Sequence, residues 1–424
     1  MVYAIAFAAV AAIGYRRPAY GVAILIALVP FALYRDVGPT TVTLFKVTLL
    51  AIVAALLARR CDPSILRRPA ASLLLACGVL VVLATALSIW HATYRGAALR
   101  ETFKSIEYVL VFATVAIAAA ADSDSRPIRI ALAAVVAVVS VLAIAQEVTG
   151  APSGIWIAKY PIPVPRIAGP LEGPNQLAGY LGIALATLTA FATRGRAERY
   201  ELAALAVGSA ALVLTISRAG VAASLLGVAV VFAAGSERSQ RRPAVLAIVA
   251  GCVAGAIVLA CWGLFVTHKF GGTGPLSHFF TIAEAENPGT VGNRSEIWHA
   301  AFTLWRAHPF FGIGARNFER ELGLAGYPQL HTHANSLYIQ SLVEGGIPLA
   351  LATLALVAAS IGRFARGPFA EPLIAAAFGA SIGFGIHQIL DLLVFYPKVG
   401  ELWWILLALA AVRFDTCATE PKAA

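Results

Sequence analysis

The chain has 424 residues, of which 59% are hydrophobic and 13% charged, about half the charged share of an ordinary soluble domain. A water-soluble protein of this length cannot bury so much apolar surface, so the composition excludes a soluble globular protein. The net charge is +10. In a membrane protein the location of the charges matters more than their sum, and we expect no nucleic-acid partner.

Long apolar runs recur from one end of the chain to the other, which is typical of transmembrane helices and not of a barrel. We predict about 12 spans, at residues 19–34, 39–58, 69–91, 103–121, 129–147, 176–193, 201–217, 219–235, 243–267, 335–361, 369–392 and 400–413. The predicted fold class is therefore all-α, a polytopic membrane protein with a single integral membrane domain over residues 1–424. A shorter apolar stretch at residues 3–14 is either an extra helix or half of a broken first helix.

Arginine clusters mark the connections that the positive-inside rule assigns to the cytoplasm. They include Arg16-Arg17, Arg59-Arg60, Arg126 with Arg129, Arg238 to Arg242, and Arg363 with Arg366. Three segments then fall on the outer face, at residues 92–102, 148–175 and 268–334. The last segment is too long for a plain connector. Aromatic residues at helical spacing within it predict an amphipathic helix near 293–307 at the membrane surface.

Two histidines end the polar loop 268–334, directly before the apolar run at 335–361. They lie in His331-Thr332-His333-Ala334-Asn335. Histidine is the side chain best suited to proton transfer near neutral pH. Two histidines two residues apart, without a His-Glu-x-x-His or Cys-His pattern, are weak evidence for a metal site. We therefore predict one histidine acting as a base, and no metal or other cofactor.

Arginines at the predicted outer surface form a second group of candidates. Arg218, in Ser217-Arg218-Ala219-Gly220, lies in a tight connection between two apolar runs, where it is either functional or a side chain that snorkels to water. Arg166 lies in a Gly- and Pro-rich segment beside Glu172. Arg294 and Arg316 follow in the long loop, where surface solvation is the alternative. Guanidinium groups bind phosphate oxygens in bidentate fashion, so the group predicts a phosphate or diphosphate ligand.

Polar positions near the predicted helix ends have more than one interpretation. Asn175 either caps the helix that follows it or contributes to a ligand site. Glu344, in Glu344-Gly345-Gly346, is a charge inside an apolar helix. His387 and Asp391 share a helix face at i, i+4 spacing. They either pair structurally, or Asp391 orients a catalytic group.

The order and spacing of these motifs carry more information than any one of them. In sequence order they are Arg166-Ile167-Ala168-Gly169 with Pro174-Asn175-Gln176-Leu177-Ala178, Ser217-Arg218-Ala219-Gly220, Gly312-Ile313-Gly314-Ala315-Arg316-Asn317-Phe318, His331-Thr332-His333-Ala334-Asn335-Ser336 and Glu344-Gly345-Gly346. Over roughly residues 150–400 this series resembles the O-antigen ligase and polymerase superfamily. Family members often have His-x-His-Asn; counted back from Glu344, His333 takes the place of the first histidine and Asn335 that of the second.

The resemblance implies a metal-independent inverting glycosyltransferase whose active site faces the periplasm at the bacterial inner membrane. An O-antigen ligase transfers a glycan from undecaprenyl diphosphate to a sugar hydroxyl of lipid A–core, which completes lipopolysaccharide. The partners are then that donor, that acceptor and membrane lipids. His333, with His331 as the second candidate, accepts the hydroxyl proton, and Asn335 and Asp391 support the site. The predicted donor-binding residues are Arg218, Arg166, Arg294, Arg316 and Asn175.

Three other functions are compatible with the sequence. An O-antigen polymerase uses the same donor with a second lipid-linked glycan as acceptor. A protein O-oligosaccharyltransferase of the superfamily tends to carry an extra soluble C-terminal region, whereas this chain ends shortly after its last predicted helix. A transporter for a lipid or an anionic solute is of a different class and favours functional charges at mid-depth. The clustering of arginine and histidine on one outer face fits surface chemistry better.

Overall fold

The computed structural model describes residues 2–31, 33–37, 40–149, 166–195, 197–235, 238–270, 291–327 and 332–418. Its α-helices are α1 (Val2–Arg16), α2 (Pro18–Leu28), α3 (Leu44–Ala58), α4 (Pro69–Leu87), α5 (Arg95–Ala121), α6 (Arg126–Thr149), α7 (Pro174–Thr193), α8 (Arg199–Leu214), α9 (Arg218–Ala233), α10 (Arg238–Phe270), α11 (Val291–Ala307), α12 (Phe318–Glu321), α13 (Leu337–Phe364), α14 (Pro372–His387) and α15 (Pro397–Cys417). Short 3-10 helices lie at Pro63–Arg67, Ser88–Trp90 and Leu393–Phe395.

The apolar runs of the sequence become helices, which confirms the all-α polytopic class. Within the described residues, six helices are long and apolar enough to cross a membrane: Pro69–Trp90, Arg95–Ala121, Arg126–Gln146, Pro174–Thr193, Arg241–Cys261 and Leu337–Phe364. The apolar helices α1, α2, α3, α9 and α14 are shorter, at 10–17 residues. Residues 3–14 therefore lie in a short helix of their own, α1, which packs against α3.

A two-stranded hairpin replaces the adjoining ends of the first two predicted spans. Strands β1 (Tyr34–Val37) and β2 (Thr40–Thr43) pair antiparallel, with Tyr34 opposite Thr43. The second strand is a run of β-branched residues, which favour extended backbone over helix. Helix α3 then starts at Leu44, because the Thr43 side chain accepts the backbone N–H of Lys46 at 3.2 Å and caps the helix. The predicted span 39–58 is thus helical only from Leu44 onward.

Two buried helices, α7 and α15, form the centre of the bundle. Nearly every residue of α7 is buried, against α8, α9 and α14, and α15 is buried from Val399 to Val412. A helix that is apolar all round belongs in the interior. Around this centre the helices approach closely: a Cβ on Gly227 of α9 would lie 2.9 Å from the Gly379 carbonyl oxygen of α14. Small residues at such crossings are typical of membrane helix packing.

The arginine-rich connections meet at one end of the bundle. Arg17 donates to Asp122 at 3.1 Å, and Arg363 lies 3.7 Å from Asp415. Asp415 in turn accepts the backbone N–H of Ala70 at the start of α4. The opposite end, where α4 ends and α5, α7 and α9 begin, carries the motifs singled out in the sequence. We refer to it as the site end.

Candidate active site

The Gly-x-Gly and Glu-x-Gly motifs form one structural unit at the site end. The backbone N–H groups of Ile313 and Gly314 donate to the carbonyls of Val343 and Glu344, at 3.0 and 2.9 Å. The buried Glu344 side chain accepts the N–H of Phe318 at 3.1 Å, at the start of α12. Helix α13 is kinked at Gly346, where φ is +65°. Glu344 therefore holds the loop onto the kinked helix, which gives this membrane-depth charge a structural role.

Asn317 connects the same loop to the segment between α4 and α5. Its side chain is fully buried and accepts the backbone N–H of Tyr94 at 2.8 Å. Nearby, the N–H of Ala315 donates to the Ser88 hydroxyl at 3.0 Å. Helix α5 begins at Arg95, so much of the predicted outer segment 92–102 is helical. These contacts place the beginning of α5 beside the long polar loop.

The predicted amphipathic helix near 293–307 is confirmed as α11, which buries Ile297, Ala300 and Ala301. Its Trp298 indole N–H donates to the Ala334 carbonyl at 2.8 Å. The Ala334 N–H donates to the Gln340 side chain at 2.7 Å. The segment that carries His333 is therefore held from both sides, by α11 and by the first turn of α13.

His333 is half-buried and makes contacts through both ring nitrogens. Nδ1 accepts the backbone N–H of Asn335 at 3.1 Å, and Nε2 lies 3.4 Å from the Tyr396 hydroxyl. A neutral imidazole carries one proton, which in this arrangement resides on Nε2. Burial lowers the pKa of His333, and this effect exceeds the opposite influence of the nearby Asp391 carboxylate. The ring is therefore neutral at neutral pH, the state from which a base acts.

Arg166 and Asn175 contact each other at the start of α7. The Arg166 guanidinium donates to the Asn175 side chain at 3.0 Å and to the Thr215 carbonyl at 2.9 Å. Helix α7 begins at Pro174 with Gly173 as its N-cap residue, and no side chain caps it. The interpretation of Asn175 as a helix cap is therefore wrong. Asn175 is already inside the first turn, and its side chain orients Arg166 instead.

Arg218 is the first residue of α9 and follows a strained turn. Ile216 is buried and has φ of +52°, a conformation that β-branched residues rarely adopt. Ser217 caps the helix, because its hydroxyl accepts the Gly220 N–H at 3.3 Å. Arg166 holds the turn through the Thr215 carbonyl. Arg218 thus stands at a fixed helix N-terminus, whose partial positive charge adds to its own.

Arg294 interacts electrostatically with both Asp391 and Arg218. Burial lowers the pKa of Arg294, the Asp391 carboxylate opposes that change, and the Arg218 cation adds to it. Asp391 is 2% exposed, and its Oδ1 accepts the Leu392 N–H at 2.8 Å. Among the described residues, none accepts a hydrogen bond from the buried Arg294 Nε. Asp391 is close enough to influence both Arg294 and His333, which links the two halves of the predicted site.

A polar cavity of about 570 Å³ opens beside His333. Arg316 lines it, at the tight turn where its own φ is +59°. Arg166, Arg218 and Arg294 are not among its lining residues. His333 thus interacts electrostatically with Asp391 and Arg294, Arg294 also interacts with Arg218, and Arg316 lines the same cavity as His333. The second histidine candidate, His331, lies outside the described residues.

Sequence reasoning missed several residues of this cavity. Tyr396, Arg100 and Arg320 line it together with His333. Burial raises the pKa of Tyr396 to about 12, so its hydroxyl stays protonated at neutral pH. A signal was available for the arginines, because Arg100 and Arg320 lie in segments predicted to be outside, where the positive-inside rule disfavours them. Tyr396 had no comparable signal, since its contact with His333 spans more than sixty positions of sequence.

The fold and the site define a multi-pass membrane protein with a basic, histidine-bearing site at one end of its helical bundle. Comparison with protein families gives a match to the family described as O-antigen ligase, over residues 203–354. The match agrees with the resemblance to O-antigen ligases and polymerases that the motifs show. It covers roughly a third of the chain, from α8 to the middle of α13, including Arg218, Arg294 and His333. A search of curated proteins gave no match.

The matched family, described as O-antigen ligase, is one of enzymes of the glycosyl-transfer kind. Substrates of such enzymes are, in general, a lipid-linked glycan and a lipid acceptor. Arg166, Asn175 and Asp391 lie outside the matched residues. Their connection to the site comes from the structure alone, through the contacts of Arg166 with the turn before Arg218 and of Asp391 with Arg294 and His333.

Proposed function

We propose that this protein is an O-antigen ligase that transfers a glycan from undecaprenyl diphosphate to a hydroxyl of lipid A–core at the periplasmic face of the inner membrane. The observation that carries the proposal is the position of His333. It lines an open polar cavity and interacts electrostatically with Asp391 and with Arg294, which in turn interacts with Arg218. A base that lines a sugar-sized cavity and lies near a basic group suits a transfer between two substrates.

The donor diphosphate is proposed to bind to Arg218, Arg166 and Arg294. Arg218 stands at a capped helix N-terminus, and Arg166 is oriented by Asn175 and the Thr215 carbonyl. A buried donor without a partner, such as Arg294 Nε, is unfavourable by about 1–3 kcal/mol, and a phosphate oxygen would satisfy it. Preorganised guanidinium groups stabilise the negative charge that develops on a leaving diphosphate.

His333 is proposed to accept the proton of the attacking hydroxyl. The acceptor O–H bond breaks, and its proton moves to Nε2. The acceptor oxygen bonds to the anomeric carbon, while the bond from that carbon to the diphosphate oxygen breaks with inversion. This step requires the Nε2 lone pair. The ring proton must therefore reside on Nδ1, and the hydrogen bond from Asn335 must first be released. Asn335 and Asp391 position the ring and do not take part in bond making.

The test uses the purified full-length chain with an undecaprenyl-diphosphate-linked glycan and lipid A–core. The expected product is lipid A–core of increased mass that carries the glycan, seen on a lipopolysaccharide gel. Omission of lipid A–core should abolish all products. If the glycan instead lengthens on its own lipid diphosphate carrier, the protein is a polymerase and the proposal is wrong.

Variants of histidine test the proposed base. His333→Ala and His333→Gln should both lower kcat by about 10²- to 10⁴-fold, the usual contribution of a general base. Glutamine can still donate a hydrogen bond through its amide, so activity retained by His333→Gln would make His333 a hydrogen-bond donor and refute the base assignment. His299→Ala, an exposed histidine on α11, is the matched control and should retain wild-type rates.

A further inference from the structure

The cavity beside His333 carries a second cluster of arginines, formed by Arg100, Arg316 and Arg320. The three residues come from two parts of the fold, the first turns of α5 and the segment from Gly312 to α12. Asn317 joins these parts through its hydrogen bond with Tyr94. The fold therefore assembles the cluster, and of its three arginines only Arg316 lies in a motif singled out in the sequence.

Aromatic rings hold two of these guanidinium groups in place. Arg316 lies over the ring of Phe395, with 4.5 Å from its guanidinium carbon to the ring centroid, and Arg320 lies over Tyr94 at 4.6 Å. Stacking uses the flat face of a guanidinium and leaves its N–H edges available. Arg316 also lies 3.7 Å from Glu101. Two positive groups are thus oriented at the cavity before any ligand arrives.

The carboxylates near the cavity do not cancel this charge. The described lining contains two carboxylates, Glu319 and Glu344, against the three arginines. Glu101 is not part of the lining and lies 2.5 Å from the Lys104 ammonium. The described lining is therefore positive overall even with both of its carboxylates ionised.

We propose that this cavity binds the acceptor, and that Arg100, Arg316 and Arg320 recognise an anionic group, phosphate or carboxylate, on the acceptor glycan. The inference rests on the proposed function, in which the base contacts the acceptor hydroxyl. A cavity that the base itself lines must then hold the acceptor. Guanidinium groups pair with phosphate and carboxylate in bidentate fashion, and a neutral glycan has no charge to match them. Arg316 accordingly serves the acceptor rather than the donor diphosphate.

Direct binding tests this subsite without the transfer reaction. The wild-type chain in nanodiscs is titrated with lipid A–core that is intact, dephosphorylated, or reduced at its carboxylates. We expect removal of one kind of anionic group to weaken binding about tenfold, the effect of losing a charge-assisted hydrogen bond. The treated acceptor that binds with the lower affinity shows which group, phosphate or carboxylate, the arginines recognise. Equal binding of all three would overturn the proposal.

Arginine variants test the residues. Arg320→Gln and Arg100→Gln should weaken binding of the intact acceptor about tenfold. Neither variant should change binding of the acceptor that lacks the recognised anionic group. Arg320→Lys should recover part of the lost affinity. The controls are Arg95→Gln on α5 and Arg306→Gln on α11, which are exposed and outside the cavity lining. A loss of donor affinity instead, measured with the undecaprenyl-diphosphate-linked glycan alone, would assign the cavity to the donor and overturn the proposal.

The two proposals fail in different ways. A chain that binds anionic acceptor through these arginines but transfers no glycan to it contradicts the proposed function and supports the subsite. A chain that transfers glycan to lipid A–core with acceptor KM unaffected by Arg100→Gln and Arg320→Gln contradicts the subsite and supports the function.

Discussion

The Glu344 carboxylate accepts the backbone N–H of Phe318 at 3.1 Å, and so joins two motifs that lie 26 positions apart in sequence. A buried acid inside a membrane helix usually indicates chemistry or a transport path. Here the backbone of the polar loop replaces a charged partner. The loop therefore docks on α13 through hydrogen bonds, and its arginines are presented to the cavity.

Glu344→Ala should destabilise the protein, because it leaves buried N–H groups of the docked loop without an acceptor. The expected loss is about 1–3 kcal/mol of unfolding free energy, seen as a lower midpoint of thermal unfolding followed by tryptophan fluorescence in detergent. Glu344→Gln keeps an acceptor oxygen, so its loss of unfolding free energy should be clearly smaller. Equal midpoints for wild type and Glu344→Ala would show that the contact does not hold the loop.

Gly346→Ala should lower the unfolding midpoint more than a glycine-to-alanine change elsewhere on the same helix. Gly346 has φ of +65°, and an added Cβ would lie 2.3 Å from the Phe310 carbonyl oxygen. The matched control is Gly362→Ala in α13, where a Cβ meets nothing within 4 Å. That control should be neutral or stabilising by up to about 1 kcal/mol, since alanine favours helix over glycine. Similar unfolding midpoints for the two variants would contradict the role of the kink.

Much of the fold was predictable because a membrane helix is specified locally, by a run of apolar residues. The same reasoning failed at Thr40–Thr43, where hydropathy alone gave no reason to expect a strand rather than a helix. It also did not show that α5 begins at Arg95, ahead of the apolar run predicted from residue 103, because a helix can extend beyond its apolar part. Hydropathy indicates whether a segment lies in lipid or in water, but it does not indicate whether the backbone of that segment forms a helix or a strand.

The candidate site residues were predictable where a charged or titratable side chain lies at or near the end of an apolar run, as at Arg218 and His333, or in the long polar loop, as at Arg294. The partners of these residues were not predictable. Tyr396 reaches His333 across the fold, and Asn175 orients Arg166 where a helix cap was a competing interpretation. Such contacts depend on how the helices pack, and one sequence contains no direct record of that packing.

The transfer rate should depend on pH through His333. Burial lowers its pKa from the ordinary value of about 6.5. A base works in its neutral form, so activity should be full above that pKa and fall as pH drops through it. The acid limb of kcat/KM, measured from about pH 4.5 to about 8, should therefore lie below about 6.5. His299→Ala should keep this limb. An acid limb above pH 6.5, or one that persists in the residual activity of His333→Gln, would show that the limb reports the titration of another group.

Arg218→Lys tests whether the donor diphosphate is recognised by a guanidinium fork or by positive charge alone. Lysine keeps the charge but cannot make two parallel hydrogen bonds to one phosphate. We expect kcat/KM for the undecaprenyl-diphosphate-linked donor to fall about 10- to 100-fold, as for the loss of a charge-assisted hydrogen bond, with an unchanged unfolding midpoint because Ser217 still caps α9. The control is Arg242→Lys, an exposed residue at the arginine-rich end, which should leave kcat/KM for the donor unchanged. Normal donor kinetics in Arg218→Lys would exclude bidentate recognition and leave Arg218 a general electrostatic role.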